Sequence, residues 1–378
     1  GDDLKAIKGI ELVEYNPRIA RPQYTKVQEV EGDENLPQIE QTADMPFDDP
    51  RLGNQWHYYN NGSRYYSEAG SDINIFPVWQ AGVTGNQEVI VSVVDGGIDY
   101  AHEDLADNMW VNKGEIPNNN KDDDSNGYID DIHGYNFVSN TGNVTADSHG
   151  THVAGTIAAV NNNGYAVCGI AGGTGKGDGC RIMTCQIFKN GKATSEDKIA
   201  AAIKYAADNG AVIANNSWAF SKGLYTSDSD FNRIYSVLMN AISYFEKNAG
   251  IAGVIDGGLP IFAAGNDHYN TPSYPGAYYS YICVTAMGPD YKAASYTNYG
   301  TGANICAPGG EMNIPGASAW YGGVISTTAD NSYYGNHGTS MAAPHVSGCA
   351  ALGLSYALKL GKSLSAEEFK SLILSSTH

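Results

Sequence analysis

The sequence predicts an α/β fold, with a mostly parallel central sheet and helices on both of its faces. Short β-branched runs, apolar on both faces, recur after residue 74, as in strands that are covered on both sides. Stretches with apolar residues at helical spacing separate these runs. The predicted strands are EVIVSVV (88–94), RIMTCQIF (181–188), AVIAN (211–215), LPIFAA (259–264) and YICVTA (281–286).

The composition excludes several classes of protein. Of the 378 residues, 42% are hydrophobic and 17% are charged, which supplies a sizeable core and argues against disorder. The formal net charge of −19 would repel phosphate backbones and anionic lipid, so we expect no nucleic-acid partner. No apolar run approaches the roughly 18 residues of a membrane span. The first residues lack the basic start and apolar stretch of a signal peptide, so we expect a soluble chain whose export signal has already been removed.

Residues 1–48 differ from the rest of the chain. GIELVEYNPRI (9–19) predicts one short strand, and a Pro-punctuated tail and an acidic, unpatterned stretch follow it. We interpret residues 1–48 as an N-terminal segment with an acidic linker, and residues 49–378 as one α/β domain.

Several helices can be placed from their start signals and apolar stripes. Thr194 and Asp197 have the spacing of a capping box in front of an apolar stripe. Apolar residues at helical spacing from Phe231 to Lys247 predict one further helix. The last two elements are a small-residue helix after Ser340 and a Leu/Ile-striped helix near Phe369.

The six cysteines contain no Cys-x-x-Cys spacing, so we expect no zinc site. Cys168 and Cys180 flank a Gly-rich loop and could either pair or stay reduced, so the cysteines do not fix the redox compartment. The other four stand among apolar or small residues, and we expect buried free thiols there. These four are Cys185, Cys283, Cys306 and Cys349.

Three reactive side chains stand where a strand or a helix ends. Asp95 directly follows EVIVSVV and should project from the carboxyl end of a central strand, where open α/β sheets place their sites. His149 lies among small residues that allow a helix to begin close to the sheet. Ser340 lies at a helix start, where free backbone N–H groups favour a developing oxyanion. Each residue alone is compatible with a turn, a cap or a structural role, but together they are the parts of a Ser-His-Asp relay.

The segments VVDGGID, HGTHVAGT and GTSMAAPHVSG, in that chain order, resemble the subtilisin-like serine proteases, the subtilase family. FAAGND agrees, and places Asn266 where the family has its oxyanion-hole asparagine. The resemblance implies that Ser340 is the nucleophile of an acyl-enzyme, that His149 is its base and that Asp95 orients the imidazole. One position departs from the pattern. Gly96 stands where the first motif usually carries Ser or Thr, which removes a hydroxyl near the carboxylate.

The resemblance also implies a substrate groove. Subtilases bind the peptide as an extra strand along a segment like NNSWAF, so Ser217, Trp218 and Ala219 would line one wall. Trp218 either narrows the non-primed subsites or belongs to the core. The first specificity pocket would have its floor near Ser273, whose small uncharged side chain favours an apolar or aromatic residue before the cut bond.

The acidic run DDDSNGYIDD (122–131) has the oxygen side chains and the glycine of a calcium loop, although His133 stands where an EF-hand has its last glutamate. The alternative is a solvated acidic turn. Similar loops hold structural calcium in several subtilases, so the resemblance implies a structural Ca²⁺ and no cofactor for catalysis. The candidate ligands are Asp122, Asp124, Asn126, Asp130 and Asp131.

GIELVEYNPRI also resembles the last strand of a subtilase propeptide. Residues 1–48 are then either a propeptide remnant, as in a zymogen, or an N-terminal extension of the mature enzyme. The implied function is a secreted or cell-surface serine endopeptidase acting on polypeptides, with its own propeptide as a further partner.

Two competing classes fit less well. A binding protein that keeps the fold without turnover would not need an intact triad. A serine esterase of the α/β-hydrolase type would carry the order Ser, Asp, His and a G-x-S-x-G elbow, which is absent around Ser340.

Overall fold

The computed structural model describes residues 45–377, apart from 65, 226 and 315–321, together with the backbone of a two-residue strand at Ile19–Ala20. The predictions for residues 1–48 therefore fall mostly outside the described residues. Within the described part, no helix is long and apolar enough to cross a membrane.

Strands alternate with helices along the described chain. The strands are β1 (Ile19–Ala20), β2 (Ile90–Asp95), β3 (Gly134–Asn136), β4 (Arg181–Gln186), β5 (Phe188–Lys189), β6 (Lys192–Ala193), β7 (Ile213–Asn216), β8 (Ala219–Phe220), β9 (Leu259–Ala263), β10 (Ile282–Met287), β11 (Ile305–Pro308), β12 (Val324–Thr328) and β13 (Ser332–Asn336). The helices are α1 (Phe76–Gln80), α2 (Ser148–Ala158), α3 (Glu196–Asp208), α4 (Asp228–Ile234), α5 (Ser236–Asn248), α6 (Thr339–Leu360) and α7 (Ala366–Ser375), with 3₁₀ turns at Leu52–Asn54 and Ala106–Asn108.

Seven parallel strands form the central sheet, in the order β11-β10-β9-β7-β2-β4-β3. The predicted α/β class is thereby confirmed. Because parallel strands point the same way, β2, β7 and β9 all end at one edge of the sheet. Asp95 is the last residue of β2, Ser217 follows β7, and Asn266 lies shortly after β9. The topology therefore gathers three predicted site residues at that edge.

Both faces of the sheet are covered, as the two-sided apolar runs predict. On β2, Val91 and Val93 belong to one hydrophobic cluster and Val94 to the other. The first cluster includes residues of α2, α6 and α7, and the second includes residues of α3, α4 and α5. These valines are fully buried, and complete burial of such a side chain contributes about 1.5–3 kcal/mol to stability. The sheet is thus a rigid support for whatever its edge carries.

The predicted start of α3 was wrong. The helix begins at Glu196 with Ser195 as its N-cap, and not with a capping box formed by Thr194 and Asp197. The N–H of Thr194 donates to the carbonyl of Ile187 at 2.8 Å. Thr194 therefore still belongs to the hairpin that precedes the helix.

The single helix predicted from Phe231 to Lys247 was also wrong, because Tyr235 divides it into α4 and α5. The φ of −117° and ψ of 45° at Tyr235 lie outside the helical region. Its buried ring lies 4.8 Å from that of Phe220, and its hydroxyl contacts the hydroxyl of Tyr225. Aromatic packing across the fold thus overrides the local helical pattern.

The six cysteines all lie in the described part of the chain and all carry free thiols. Cys168 donates from Sγ to Oδ2 of Asp49 at 3.2 Å, so the alternative in which it stays reduced beside Cys180 is the one observed.

Two of the four predicted buried thiols are buried, namely Cys185 and Cys283. The prediction was wrong for Cys306, which is exposed, and for Cys349, which is half-buried. Both line an open apolar groove of about 950 Å³ between α6, α7 and the edge strand β11. No further strand covers that edge within the described residues, so the groove exposes both thiols.

Candidate active site

Asp95 is held at the end of β2 and is fully buried. Its Oδ1 lies 2.9 Å from Nδ1 of His149, and the backbone N–H of Gly96 donates to the same oxygen at 2.5 Å. The sequence raised a doubt about Gly96, because it lacks the usual hydroxyl. A backbone N–H supplies a hydrogen bond to the carboxylate at this position.

His149 sits in the first turn of α2, close to the sheet edge. The carboxylate of Asp147 caps this helix by accepting from the N–H groups of His149 and Gly150, at 3.0 and 3.3 Å. A Cβ on Gly150 would stand 2.6 Å from the carbonyl oxygen of Gly96, closer than real contacts allow. Glycine at 150 therefore lets the helix start against the end of β2, as the small residues in this segment predict.

Two other histidines in the same motifs have structural roles. Nε2 of His152 lies 2.9 Å from the carbonyl of Val324, and Nδ1 of His345 lies 2.8 Å from the carbonyl of Met341. Burial lowers the pKa of His152 to about 3 and that of His345 to about 4. Both imidazoles are therefore neutral at ordinary pH, whereas the imidazole that binds Asp95 is that of His149.

Ser340 stands in the first turn of α6 and is 2% exposed. In β7, Asn215 pairs with Val93 of β2, so Asp95, at the end of β2, and Ser217, just after β7, lie at the same edge of the sheet. The hydroxyl of Ser340 donates to the carbonyl of Ser217 at 3.1 Å. This bond anchors Ser340 to the edge that carries Asp95 and His149. It also means that the hydroxyl must rotate before it can donate to an imidazole.

Asn266 faces the same helix start. Its Oδ1 accepts from the backbone N–H and the hydroxyl of Thr339, at 2.9 and 2.7 Å. The hydroxyl of Thr339 in turn accepts from the N–H of Gly265 at 3.1 Å. A Cβ built on Gly338 would stand 3.0 Å from Nδ2 of Asn266 and 3.7 Å from the backbone N of Ser340, so the amide nitrogen lies near the start of α6.

The predicted groove residues are all buried, and Trp218 belongs to the core. Trp218 is fully buried, with its ring 5.5 Å from that of Phe262 at 83°, so its side chain lies in the core. Ser273 is 5% exposed, and its Oγ lies 3.3 Å from Nδ2 of Asn298. Ser217 and Ala219 flank Trp218 in the sequence, and both are buried.

The groove segment already has a strand partner within this chain. Strand β1 pairs antiparallel with β8, with Ile19 opposite Phe220 and Ala20 opposite Ala219. The N-terminal segment thus uses the backbone edge that directly follows Ser217 and Trp218.

The acidic loop brings together three carboxylates, of which two belong to the predicted ligands. Carboxylate oxygens of Glu115, Asp124 and Asp131 lie within 4.8 Å of one another. Asp122 instead accepts from the N–H groups of Asn126 and Gly127, at 3.0 and 2.9 Å.

Two more of the predicted ligands bind the loop itself. Asp130 accepts from the N–H groups of Asn119 and Asn120, at 3.1 and 3.0 Å. Asn126 donates from its amide to Oδ2 of Asp131 at 3.1 Å. The sequence analysis missed Glu115, which lies outside the acidic run and whose convergence on Asp124 and Asp131 depends on the fold.

Burial raises the pKa of Asp131, although hydrogen bonds from Tyr205, Asn112 and Asn126 oppose that shift. The hydroxyl of Tyr205, on α3, donates to Oδ2 of Asp131 at 2.5 Å. A divalent cation would stabilise the charged form of a buried carboxyl group that lies close to two other carboxylates.

A second pair of buried carboxyl groups was not predicted. Asp49 and Asp104 are both fully buried. Burial raises the pKa of Asp104 to about 7, with a smaller contribution from the charge of Asp49, while hydrogen bonds from Asn163 and Val167 oppose it. Asp49 stands in an acidic stretch that looks solvated, so only the fold distinguishes it from its neighbours.

Comparison with known proteins finds relatives among serine proteases. The model of the subtilase family matches residues 86–378. A thermophilic serine proteinase from Bacillus sp. strain AK1 is 33% identical over 264 residues, covering 69% of this chain and 51% of that protein. A halolysin-like extracellular serine protease, Nep, from Natrialba magadii is 32% identical over 319 residues, covering 83% of this chain and 46% of that protein.

A solved structure is similar over most of its length. A protease from Pseudoalteromonas arctica superposes with a TM-score of 0.64 at 26% identity, covering 88% of this chain and 93% of the other. The chain spans about half the length of the two curated relatives. Because the family model covers well over half of the residues, this chain belongs to the subtilase family.

Proposed function

We propose that this protein is a serine endopeptidase that hydrolyses peptide bonds through an acyl-enzyme on Ser340. The observation that carries the proposal is the 2.9 Å contact between Oδ1 of Asp95 and Nδ1 of His149, buried at the sheet edge to which Ser340 is anchored. A carboxylate at Nδ1 fixes the imidazole tautomer in which Nε2 can accept a proton, and it stabilises the imidazolium that results.

The reaction begins when the Ser340 hydroxyl turns from the Ser217 carbonyl towards Nε2 of His149. Oγ attacks the substrate carbonyl as its proton passes to Nε2. The tetrahedral oxyanion accepts from the amide of Asn266 and from the backbone N–H of Ser340. Collapse breaks the C–N bond, and the imidazolium returns the proton to the leaving amine. Water then attacks the acyl-enzyme with His149 again as the base, which releases Ser340.

The substrate would bind as a strand along the segment that ends in β8. The antiparallel pairing of β1 with β8 supports this mode, because a peptide backbone can satisfy that edge. The small side chain of Ser273 favours an apolar or aromatic residue before the cut bond. Trp218, being buried, would support the groove wall from behind and not narrow it.

The same pairing supports a propeptide origin for residues 1–48, which would make them an inhibitory partner of the groove. A substrate strand and β1 would compete for β8. A chain that starts at Met45 should therefore cleave a mixed peptide library faster than the full chain. Equal rates would favour an ordinary N-terminal extension instead.

A structural calcium ion fits the acidic loop through Glu115, Asp124 and Asp131, which offer three converging carboxylates. Hard cations prefer such oxygen ligands. The ion would offset the repulsion among these groups and tighten the loop between the segments that carry Asp95 and His149. The extracellular character that the halolysin-like relative has by name supports a secreted or cell-surface location for this chain as well.

The decisive variant is Ser340→Ala, assayed on a denatured protein substrate. Loss of a nucleophile that works as part of a unit lowers turnover by about 10⁶-fold. The matched control is Ser355→Ala, a buried serine on the same helix whose hydroxyl donates to the carbonyl of Ala351, at 2.7 Å. Ser340→Ala should be inactive yet fold normally, and Ser355→Ala should keep its activity. Comparable activity in both variants would rule out the proposal.

A further inference from the structure

Helix α6 lacks one of its internal hydrogen bonds at the carbonyl of Ser340. Pro344 stands four residues after Ser340 and has no N–H to donate to the Ser340 carbonyl, as an ordinary helical residue would. The hydroxyl of Ser217 donates to this carbonyl instead, at 2.8 Å. A side chain from the sheet edge thus replaces the missing helical bond.

The Ser217 hydroxyl is itself held in place by two further side chains. It accepts from Nδ2 of Asn215 at 3.0 Å, and Oδ1 of Asn215 accepts from the hydroxyl of Ser347 at 2.8 Å. The hydroxyl of Ser347 also lies 3.2 Å from the carbonyl of Ala343, on its own helix, but the bond to Asn215 is the shorter one. Since Asn215 and Ser217 each donate onward, the bonds run in one direction, from Ser347 to the Ser340 carbonyl. Asn215, Ser217 and Ser347 are fully buried, so water does not compete for these bonds.

These bonds connect two positions on α6 through the edge of the sheet. They start at Ser347 on α6, pass through Asn215 and Ser217 at the end of β7, and end at the Ser340 carbonyl on α6. They therefore bridge the turn of the helix in which Pro344 removes a hydrogen bond. The oxyanion N–H and the nucleophilic Oγ both depend on the backbone position of Ser340. A misplacement of about 1 Å in such groups costs on the order of 100-fold in rate.

We infer that Ser347, Asn215 and Ser217 form a positioning relay that fixes the backbone of Ser340 for attack. The inference rests on the proposed role of Ser340 as the nucleophile. It gives the side chain of Ser217 a role separate from that of its backbone, which would bind the substrate. The three residues are positioning residues, since they act through Ser340 and do not touch the reacting atoms.

The test compares Ser217→Ala, Asn215→Ala and Ser347→Ala with the Ser355→Ala control. The substrate-binding backbone is unchanged in the Ser217 variant, so kcat should fall about 10- to 100-fold while KM changes little. Rates are expressed per folded active site, counted by titration, which separates a rate effect from a loss of folded protein. Ser347→Thr keeps the hydroxyl and should restore most of the rate lost in Ser347→Ala.

A second variant tests the cause directly. Pro344→Ala supplies the N–H that the Ser340 carbonyl lacks, so Ser217→Ala should lower kcat several-fold less in that background than in the natural one. Equal losses in both backgrounds would overturn the relay, and so would an unchanged kcat in all three alanine variants. If Ser340→Ala is inactive in the same experiment, the proposed function survives that result. If Ser340→Ala is active, the proposed function and the relay both fail.

Discussion

The assembled edge of the sheet, which carries Asp95 and Ser340, and the acidic loop differ in the partners of their carboxylates. Asp95 is fully buried, and its partner imidazole lies 54 residues away in the sequence. Asp122 and Asp130 instead accept from backbone N–H groups of their own loop. A carboxylate with a distant partner marks a site that the fold has assembled. A carboxylate that accepts from its neighbours' backbone shapes a turn, and Glu115 does so as well, through the N–H groups of Asp123 and Asp130. Backbone bonds of this kind do not distinguish a ligand from a turn residue, and an acidic run alone does not fix a ligand set.

The largest expected effect concerns the assembled edge. Asn266→Ala removes the side-chain donor to the oxyanion and should lower kcat by about 100- to 1000-fold, with KM little changed. Steady-state kinetics on a peptide substrate measure this split. An equal change in KM, with kcat intact, would place Asn266 in ground-state binding and not in oxyanion stabilisation.

The control for Asn266 is Asn298→Ala. Asn298 is buried near Ser273 and accepts from the N–H groups of Asp267 and Tyr269, both at 3.0 Å. This change should reduce stability more than turnover, because it removes loop contacts and no oxyanion donor. If both variants lose kcat equally, the loss reflects general damage to the loop.

The next effect sharpens the contrast within the loop. Chelation should lower the melting temperature and added calcium should restore it, since a ligand at 100 times its Kd adds about 2.7 kcal/mol. Glu115→Gln should remove most of this calcium-dependent gain, because it weakens the converging carboxylates. Differential scanning calorimetry with and without calcium measures the gain.

Asp122→Asn is the matched control for that experiment. Asn keeps one oxygen to accept from the loop backbone, so the calcium-dependent gain should persist. A protein whose melting temperature ignores both chelator and calcium would end the calcium proposal. Equal loss of the gain in both variants would show that Asp122, a ligand that the sequence predicts, binds calcium together with Glu115.

The last effect lies away from the assembled edge and concerns Asp104, a buried carboxyl group close to a second one, Asp49. Its pKa of about 7 in the folded protein exceeds the value near 4 in an unfolded chain. The folded state thus keeps the proton up to a higher pH than the unfolded chain does. The stability contributed by this group is therefore complete below about pH 4 and is lost as the pH rises to 7. This loss is roughly 1 kcal/mol per pH unit, and Asp104→Asn should make the free energy of unfolding less dependent on pH.

Denaturant unfolding at pH 5, 6 and 7 checks the sign for Asp104. The difference in the free energy of unfolding between the variant and the natural protein should move in favour of the variant as the pH rises. A shift in the opposite direction would mean that Asp104 is ionised in the folded protein, held so by a cation or another charge.

Sequence reasoning predicted the assembled edge better than the elements around it. The strand ends at Asp95 and at Asn216 follow from two-sided apolar runs, and parallel topology then brings their successors together. The motif residues could be named because their spacing relates to a known family. The bond from Ser217 to the Ser340 carbonyl could not be predicted, since it depends on the distance between β7 and α6.

The failures have a common physical cause. The break at Tyr235 and the membership of Glu115 in the carboxylate group both depend on contacts between segments distant in sequence. Local periodicity and composition carry no information about such contacts. The misplaced start of α3 is a more local case, because the N–H of Thr194 donates to the carbonyl of Ile187 across the preceding hairpin.

The central claim is that Ser340 is a nucleophile activated by His149. A fluorophosphonate reagent tests it directly, because the activated serine oxygen displaces fluoride and forms a stable bond to phosphorus. Mass spectrometry of the digested protein should find one adduct, on Ser340, and His149→Ala should abolish it. An adduct on another residue, or labelling of Ser340 that persists without His149, would contradict the account.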